Sequence, residues 1–315
     1  MDLTIMIIGL LLGFALLIKG ADIFVGASVN IAKNLKIPNL VIGLTIIAIG
    51  TSAPELVISV SAAIRGSNDM AVGNIIGSNI FNLVFILGLC ALIKPVAVKL
   101  KEISKDYWVS VGAATLLLIL KIVFGSTIPR LGSLILVAVF IIYMIILIRK
   151  ALENRDLEEK HHDDTVPKPL LKSIIFAVLG VALIVSGGQF TVSNATNIAY
   201  VLGISERIVG LTVLAIGTSM PELVTSIVAF KKGENAMAIG NIIGSNIFNI
   251  LFILGLSGTI VPLIIDDNLL FDLIILIAGS LIFFLFAFTD RRIARFEGLS
   301  MVTIYAAYMV AIILW

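Results

Sequence analysis

The sequence predicts an all-α integral membrane protein of ten transmembrane helices, built as two inverted-topology five-helix repeats with the N- and C-termini outside. Three observations predict it. The 315 residues are 59% hydrophobic and only 13% charged, with a mean hydropathy of +1.14, whereas a soluble protein carries roughly 25% charged residues. Shifting the chain by 167 positions lays Gly20–Leu89 on Gly187–Leu256 without a gap, with 40 identities in 70 pairs; unrelated apolar helices agree at roughly one position in ten. Each repeat has an odd number of spans, so the second enters the bilayer from the opposite face, about an axis in the membrane plane.

A spanning helix needs about 20 mostly apolar residues, and ten stretches supply them: 3–25, 38–64, 70–93, 107–124, 131–149, 171–192, 206–230, 237–264, 269–288 and 299–315. The first, "MDLTIMIIGLLLGFALLIKG", lacks the basic start and small-residue cleavage site of a signal peptide and reads as a span. Spans two and three make the first duplicated unit (38–93), and spans seven and eight make the second (206–264). Between the fifth and sixth spans lies "RKALENRDLEEKHHDDTVPKPLLK", with 12 of 24 residues charged. Residues 151–170 of it are the linker between a first repeat at 1–150 and a second at 171–315. Basic residues test the span count. Seventeen fall on the linker's side and four (Arg65, Lys121, Arg130, Arg207) on the other, with Lys19 at a helix end. By the positive-inside rule the linker is cytoplasmic and both termini are extracellular, in a multi-pass protein of the cell membrane.

Other function classes find no support. A net charge of +2 without a basic aromatic patch argues against nucleic acid. Cys90 stands alone and cannot form an internal disulfide. His161 and His162 read as a solvated pair in the linker, and no EF-hand spacing or nucleotide-loop lysine is present. Lys121 and Asp272 are expected near span ends, reaching the interface. No nucleophile stands with a base, so no enzyme, cofactor or protein partner is predicted. The lipid bilayer is the expected surrounding, and a monomer suffices.

The chemistry lies in two doubled phrases. "GTSAPE" (Gly50–Glu55) and "GTSMPE" (Gly217–Glu222) place Glu55 and Glu222 deep in the second and seventh spans. An acidic residue there costs about 2.5–3.5 kcal/mol on insertion scales, so it should face an interior cavity and have a partner. Spans two, three, seven and eight offer no basic residue at that depth, so the balancing charge is a bound cation or a proton. Pro54 and Pro221 lack the amide hydrogen that would bond the carbonyls of Gly50 and Gly217, and backbone oxygens freed at this depth must line protein or water. Thr51, Ser52, Thr218 and Ser219 add hydroxyls. Carboxylate, carbonyl and hydroxyl oxygens are hard ligands that suit sodium or calcium. The second phrase, "GNIIGSNIFN" (Gly73–Asn82 and Gly240–Asn249), sets Asn74, Ser78 and Asn82 on one helix face, and Asn241, Ser245 and Asn249 on another. Its GxxxG glycines read as packing positions, and Asn79 and Asn246 as structural.

These motifs resemble the two α-repeats of the sodium/calcium exchangers, prokaryotic type, in the cation/calcium antiporter superfamily. The resemblance implies a diamond of sites. Glu55 and Glu222 would share calcium, with the carbonyls of Thr51 and Thr218 completing its shell. Sodium would flank it on Ser52, Ser78 and the carbonyl of Ala48 on one side, and on Ser219, Ser245 and the carbonyl of Ala215 on the other, with Asn82 and Asn249 in the middle. It also implies that the first and sixth spans slide across a rigid core, with Gly20 and Gly187 giving them room to bend. One departure matters: potassium-dependent relatives carry Asp at one of the two middle positions, and this chain has Asn at both. Its centre then holds two formal negative charges, which calcium neutralises and about three sodium ions exceed by one. The expectation is a potassium-independent, electrogenic sodium/calcium antiporter without calcium-sensing domains. Proton-driven calcium exchange is the alternative, although GTSxPE stands where proton-coupled relatives have a GNxxE-like phrase. A cation channel or ion-sensing protein is the third reading.

Overall fold

The computed structural model describes residues 3–66, 68–153, 168–204, 215–290 and 292–314. Most of the predicted linker, with His161 and His162, and the first part of the predicted seventh span, with Arg207, lie outside the described residues. The chain is helical: α1 Leu3–Leu35, α2 Asn39–Thr51, α3 Ala53–Ile64, α4 Met70–Ile93, α5 Leu100–Phe124, α6 Arg130–Glu153, α7 Leu170–Val201, α8 Ala215–Thr218, α9 Met220–Lys231, α10 Asn235–Ile260, α11 Asp267–Asp290 and α12 Arg295–Leu314. Seven of these are long and apolar enough to cross a membrane, or eight if α2 and α3, which meet at 50°, count as one bent span.

Local chemistry explains the ends. Pro38 and Pro169 stand just before α2 and α7, where no amide hydrogen is needed. Gly66 and Gly233, at equivalent places after α3 and α9, take left-handed φ of 79° and 83° to turn the chain out of the helix. After α1 the same turn is made by Lys36 at φ 54°, where the second repeat has Gly203 at 77°. Both α1 and α7 run about ten residues past their predicted ends, 25 and 192. Hydropathy marks where the oily stretch stops, whereas the helix continues through Asn30 and Asn34, or Asn194 and Asn197, until a turn residue ends it. By the same reasoning α5 begins at Leu100, seven residues before the predicted 107.

The centre is α4 and α10: in the apolar stretch of α10, 94% of residues are buried, against 22% in that of α1. Within these two, Phe81–Ile86 and Phe248–Leu254 wind as π-helix, as does Gly43–Ile47 of α2. Helix α10 lies close enough to α2 that a Cβ on Gly240 would meet the Leu40 carbonyl at 2.6 Å and one on Gly244 the Leu44 Cα at 2.7 Å. The packing reading therefore holds for Gly240 and Gly244 but not for Gly73 and Gly77, which line a cavity: a Cβ on Gly77 would meet nothing within 4 Å and one on Gly73 only the Leu269 side chain at 3.5 Å. Around the centre, contacts between halves are reciprocal. Tyr305 of α12 packs edge-on against Phe81 of α4, while Phe140 of α6 packs edge-on against Phe248 of α10. Strands β1 (Val96–Ala97) and β4 (Arg292–Ile293) pair at one end of the molecule, and β2 (Thr127–Ile128) and β3 (Leu263–Ile264) pair elsewhere. Each clasp joins segments that the span order assigns to one face. Tyr143 donates to Asp106 and Tyr308 to Asp272, both at 3.0 Å. Asp272, near the start of α11, thus accepts from a tyrosine in a cavity wall.

Helices α1 and α7 cross on the periphery. A Cβ on Gly13 would approach the Gly187 carbonyl at 3.0 Å, and one on Gly20 the Gly180 carbonyl at 3.0 Å. Lipid is as apolar as a leucine side chain and does not drive helices together, so such close backbone approach supplies the attraction by dispersion. Gly20 and Gly187 therefore serve the crossing, and α1 and α7 each continue through them unbroken.

Candidate functional site

The break between α2 and α3 falls at Ser52 (φ −82°, ψ 10°), and the break between α8 and α9 at Ser219 (φ −89°, ψ 9°). Both serines occupy the sparsely populated bridge region between helix and sheet. Pro54 and Pro221 lie in the first turns of α3 and α9, as do Glu55 and Glu222. A helix N-terminus carries unpaired amide groups and the positive end of the helix dipole, so a carboxylate placed there is stabilised by about 0.3–1 kcal/mol. Both carboxylates are fully buried. Among the described residues, no basic side chain forms a salt bridge with either.

The two breaks bond to each other. Ser52 Oγ donates to Glu222 Oε1 at 2.8 Å, and Ser219 Oγ donates to Glu55 Oε1 at 3.2 Å. Ser78 Oγ lies 3.5 Å from the same Glu55 oxygen. Ser78 therefore stands with Ser219 on Glu55, and Ser52 stands on Glu222, a different grouping from the one the resemblance implied. Crossed contacts between the two discontinuous helices produce it. The Ser245 hydroxyl is buried and has no hydrogen-bond partner.

The remaining predicted residues surround this pair. Thr51 Oγ1 is within 3.1–3.3 Å of the Ile47 and Ala48 carbonyls and of Asn241 Oδ1, and Thr218 Oγ1 is 3.4 Å from Asn74 Oδ1. The Ala48 carbonyl accepts from the Ser52 amide at 3.0 Å. Ala215 is the first residue of α8. Asn82 and Asn249 lie in the π-helical segments. Asn82 Nδ2 donates to Asn246 Oδ1 at 3.2 Å and Asn249 Nδ2 to Asn79 Oδ1 at 2.9 Å, while Asn79 and Asn246 each donate to the other's backbone carbonyl. Asn79 and Asn246 are thus structural, as expected, and they orient the middle pair. Ser59 and Ser226, which sequence reasoning passed over, accept from Asn74 and Asn241 at 3.0 and 2.9 Å. Their doubling at the 167-residue offset was the available signal.

At this centre four buried acceptor oxygens have no donor among the described residues: Glu55 Oε2, Glu222 Oε2, Asn82 Oδ1 and Asn249 Oδ1. Unpaired buried acceptors are costly, by about 1–3 kcal/mol each and more when charged, and two carboxylates with two amide oxygens form a hard donor set for a cation. A cavity of about 790 Å³ reaches this cluster from one side, where Ser78, Asn74, Thr218 and Pro221 line it together with Gln189 and Asp272.

A family model described as "Sodium/calcium exchanger protein" matches residues 5–149 and 172–314. CaxA of Alkalimonas amylolytica is 38% identical over 306 residues, covering 95% of each chain. The sodium/calcium exchanger MaX1 of Methanosarcina acetivorans is 33% identical over 347 residues, covering 98% of this chain and 99% of its own. A solved structure of the sodium-calcium exchanger NCX_Mj, soaked with sodium and calcium, superposes with a TM-score of 0.83 at 30% identity, covering 97% of this chain and 98% of its own.

Proposed function

The chain belongs to the sodium/calcium exchanger protein family, and we propose that within it this protein exchanges sodium for calcium by alternating access, electrogenically and without potassium. As a member it is a multi-pass membrane antiporter of cations and not an enzyme. The observation that carries the finer reading is the pair of fully buried carboxylates, cross-bonded to each other's serines, each with one oxygen undonated and without a basic partner. A charge of minus two at this depth must be balanced by a bound cation or by protons, and the hydroxyl and carbonyl oxygens beside the carboxylates suit a metal cation.

Calcium would be shared by Glu55 and Glu222, with the carbonyls of Thr51 and Thr218. One sodium would use Glu55, Ser78, Ser219 and the Ala215 carbonyl. Another would use Glu222, Ser52, Ser245 and the Ala48 carbonyl. Asn82 and Asn249 would occupy the middle, adding oxygen without charge. With calcium bound the centre is neutral, and with about three sodium ions it carries one positive charge. That difference supports electrogenic exchange, about three for one. The two repeats, 1–150 and 171–315, would be inverted about an axis in the membrane plane, with the linker 151–170 cytoplasmic and the termini outside. In that orientation the cavity opens to the exterior.

The test is radioactive calcium uptake into proteoliposomes under an outward sodium gradient, compared with an outward proton gradient. Uptake driven by sodium and not by protons is expected. Uptake driven by protons alone would overturn sodium coupling in favour of calcium/proton exchange.

A further inference from the structure

The two faces of the molecule differ where the repeats would make them alike. On one face α1 packs along α9. At the equivalent place α7 is separated from α3 by the cavity, which has Pro54 and Ile58 on one wall and Val185, Gly188 and Gln189 on the other. The packed face carries an ion pair. Lys232, at the C-terminal cap of α9, places its ammonium 2.8 Å from Asp22 Oδ1 of α1 and also donates to the Asp22 backbone carbonyl at 2.8 Å. Lys19 adds a second positive charge 3.9 Å from Asp22 Oδ2.

The 167-residue offset maps Lys232 onto Arg65 and Asp22 onto Gln189. The basic residue is kept and the acid is replaced by an amide. Arg65 is exposed at the end of α3, and among the described residues it forms no salt bridge; Gln189 lines the cavity. On closing, the open face offers an arginine–amide pairing with one formal charge, whereas the closed face is held by an ion pair of opposite charges.

We propose that Lys232 and Asp22 form a latch that holds α1 on α9, and that its lack of a charged counterpart biases the protein toward the state with the cavity open beside α7. This inference rests on the alternating-access reading. Opening the opposite face requires α1 to leave α9, which breaks both bonds from Lys232. The pair is half-exposed, so its contribution is that of a screened ion pair, enough to shift a two-state population by about two- to five-fold.

The experiment labels a cysteine at the cavity wall, Ser193→Cys with the buried Cys90→Ala, using a membrane-impermeant maleimide on reconstituted protein. Asp22→Asn and Lys232→Gln should each slow labelling about two- to five-fold, because the cavity spends less time open. The double exchange Asp22→Lys with Lys232→Asp, made together with Lys19→Gln so that the new lysine has no like charge beside it, should recover most of the parental rate, which a merely misfolded chain would not do. Unchanged labelling in both single variants, or no recovery in the exchanged pair, would overturn the latch. The readout needs no ion transport, so a failed latch is distinguishable from a failed antiporter reading, which the uptake of the unsubstituted protein tests separately.

Discussion

Glu55 and Glu222 each accept one hydrogen bond from a serine of the other repeat and keep a second oxygen free of donors. Ser245 holds a buried hydroxyl with no partner. Removing that hydroxyl takes no hydrogen bond from the fold, so Ser245→Ala should leave thermal stability within about 0.5 kcal/mol of the parent while raising the half-saturating sodium concentration by about tenfold. A large loss of stability with unchanged sodium dependence would contradict its role as a ligand. The residue types of the site were legible because each phrase is written twice. The serine grouping was not, because it depends on how far each broken helix is rotated toward the other, and no spacing within one phrase carries that. Ser59 and Ser226 escaped notice because they act on Asn74 and Asn241 rather than on the centre.

Helix breaks, not intact helices, build the site. Pro54 leaves the Gly50 carbonyl without its usual amide donor, and the bend of 50° follows at Ser52. Pro54→Ala returns that donor, so α2 and α3 should straighten and calcium exchange should fall by on the order of 100-fold; exchange at the parental rate would show that the bend is set elsewhere. The turns after α3 and α9 admit a second check. Gly233 sits at φ 83°, and Gly233→Ala should cost about 1 kcal/mol from the left-handed backbone alone, read as a lower melting temperature in detergent. No change in melting temperature would contradict the requirement. The breaks were legible in the prolines. The π-helical turns at Phe81–Ile86 and Phe248–Leu254 were not, since no residue type demands them. Helix ends were legible at glycine and proline and were missed where a polar helix continues past the oily stretch, as in α1.

Reciprocity organises the molecule as a whole: serine to carboxylate, Asn79 with Asn246, Phe81 with Tyr305 against Phe248 with Phe140, and β1 with β4 against β2 with β3. Duplication at a 167-residue offset made this arrangement readable before any contact was seen. The difference between the faces was less readable, since it rests on which side α1 and α7 have closed. If about three sodium ions leave for each calcium that enters, one positive charge leaves per cycle. Calcium uptake into sodium-loaded vesicles should then be accelerated by an inside-positive potential and slowed by an inside-negative one, and indifference to potential would contradict electrogenic exchange. The central claim is that Glu55 and Glu222 are two halves of one site, and equilibrium binding of radioactive calcium to the purified protein tests it most directly. One calcium per chain, displaced by sodium and lost in both Glu55→Gln and Glu222→Gln, is the predicted result; binding that survives in either single variant would show that the carboxylates act separately and would contradict the shared site.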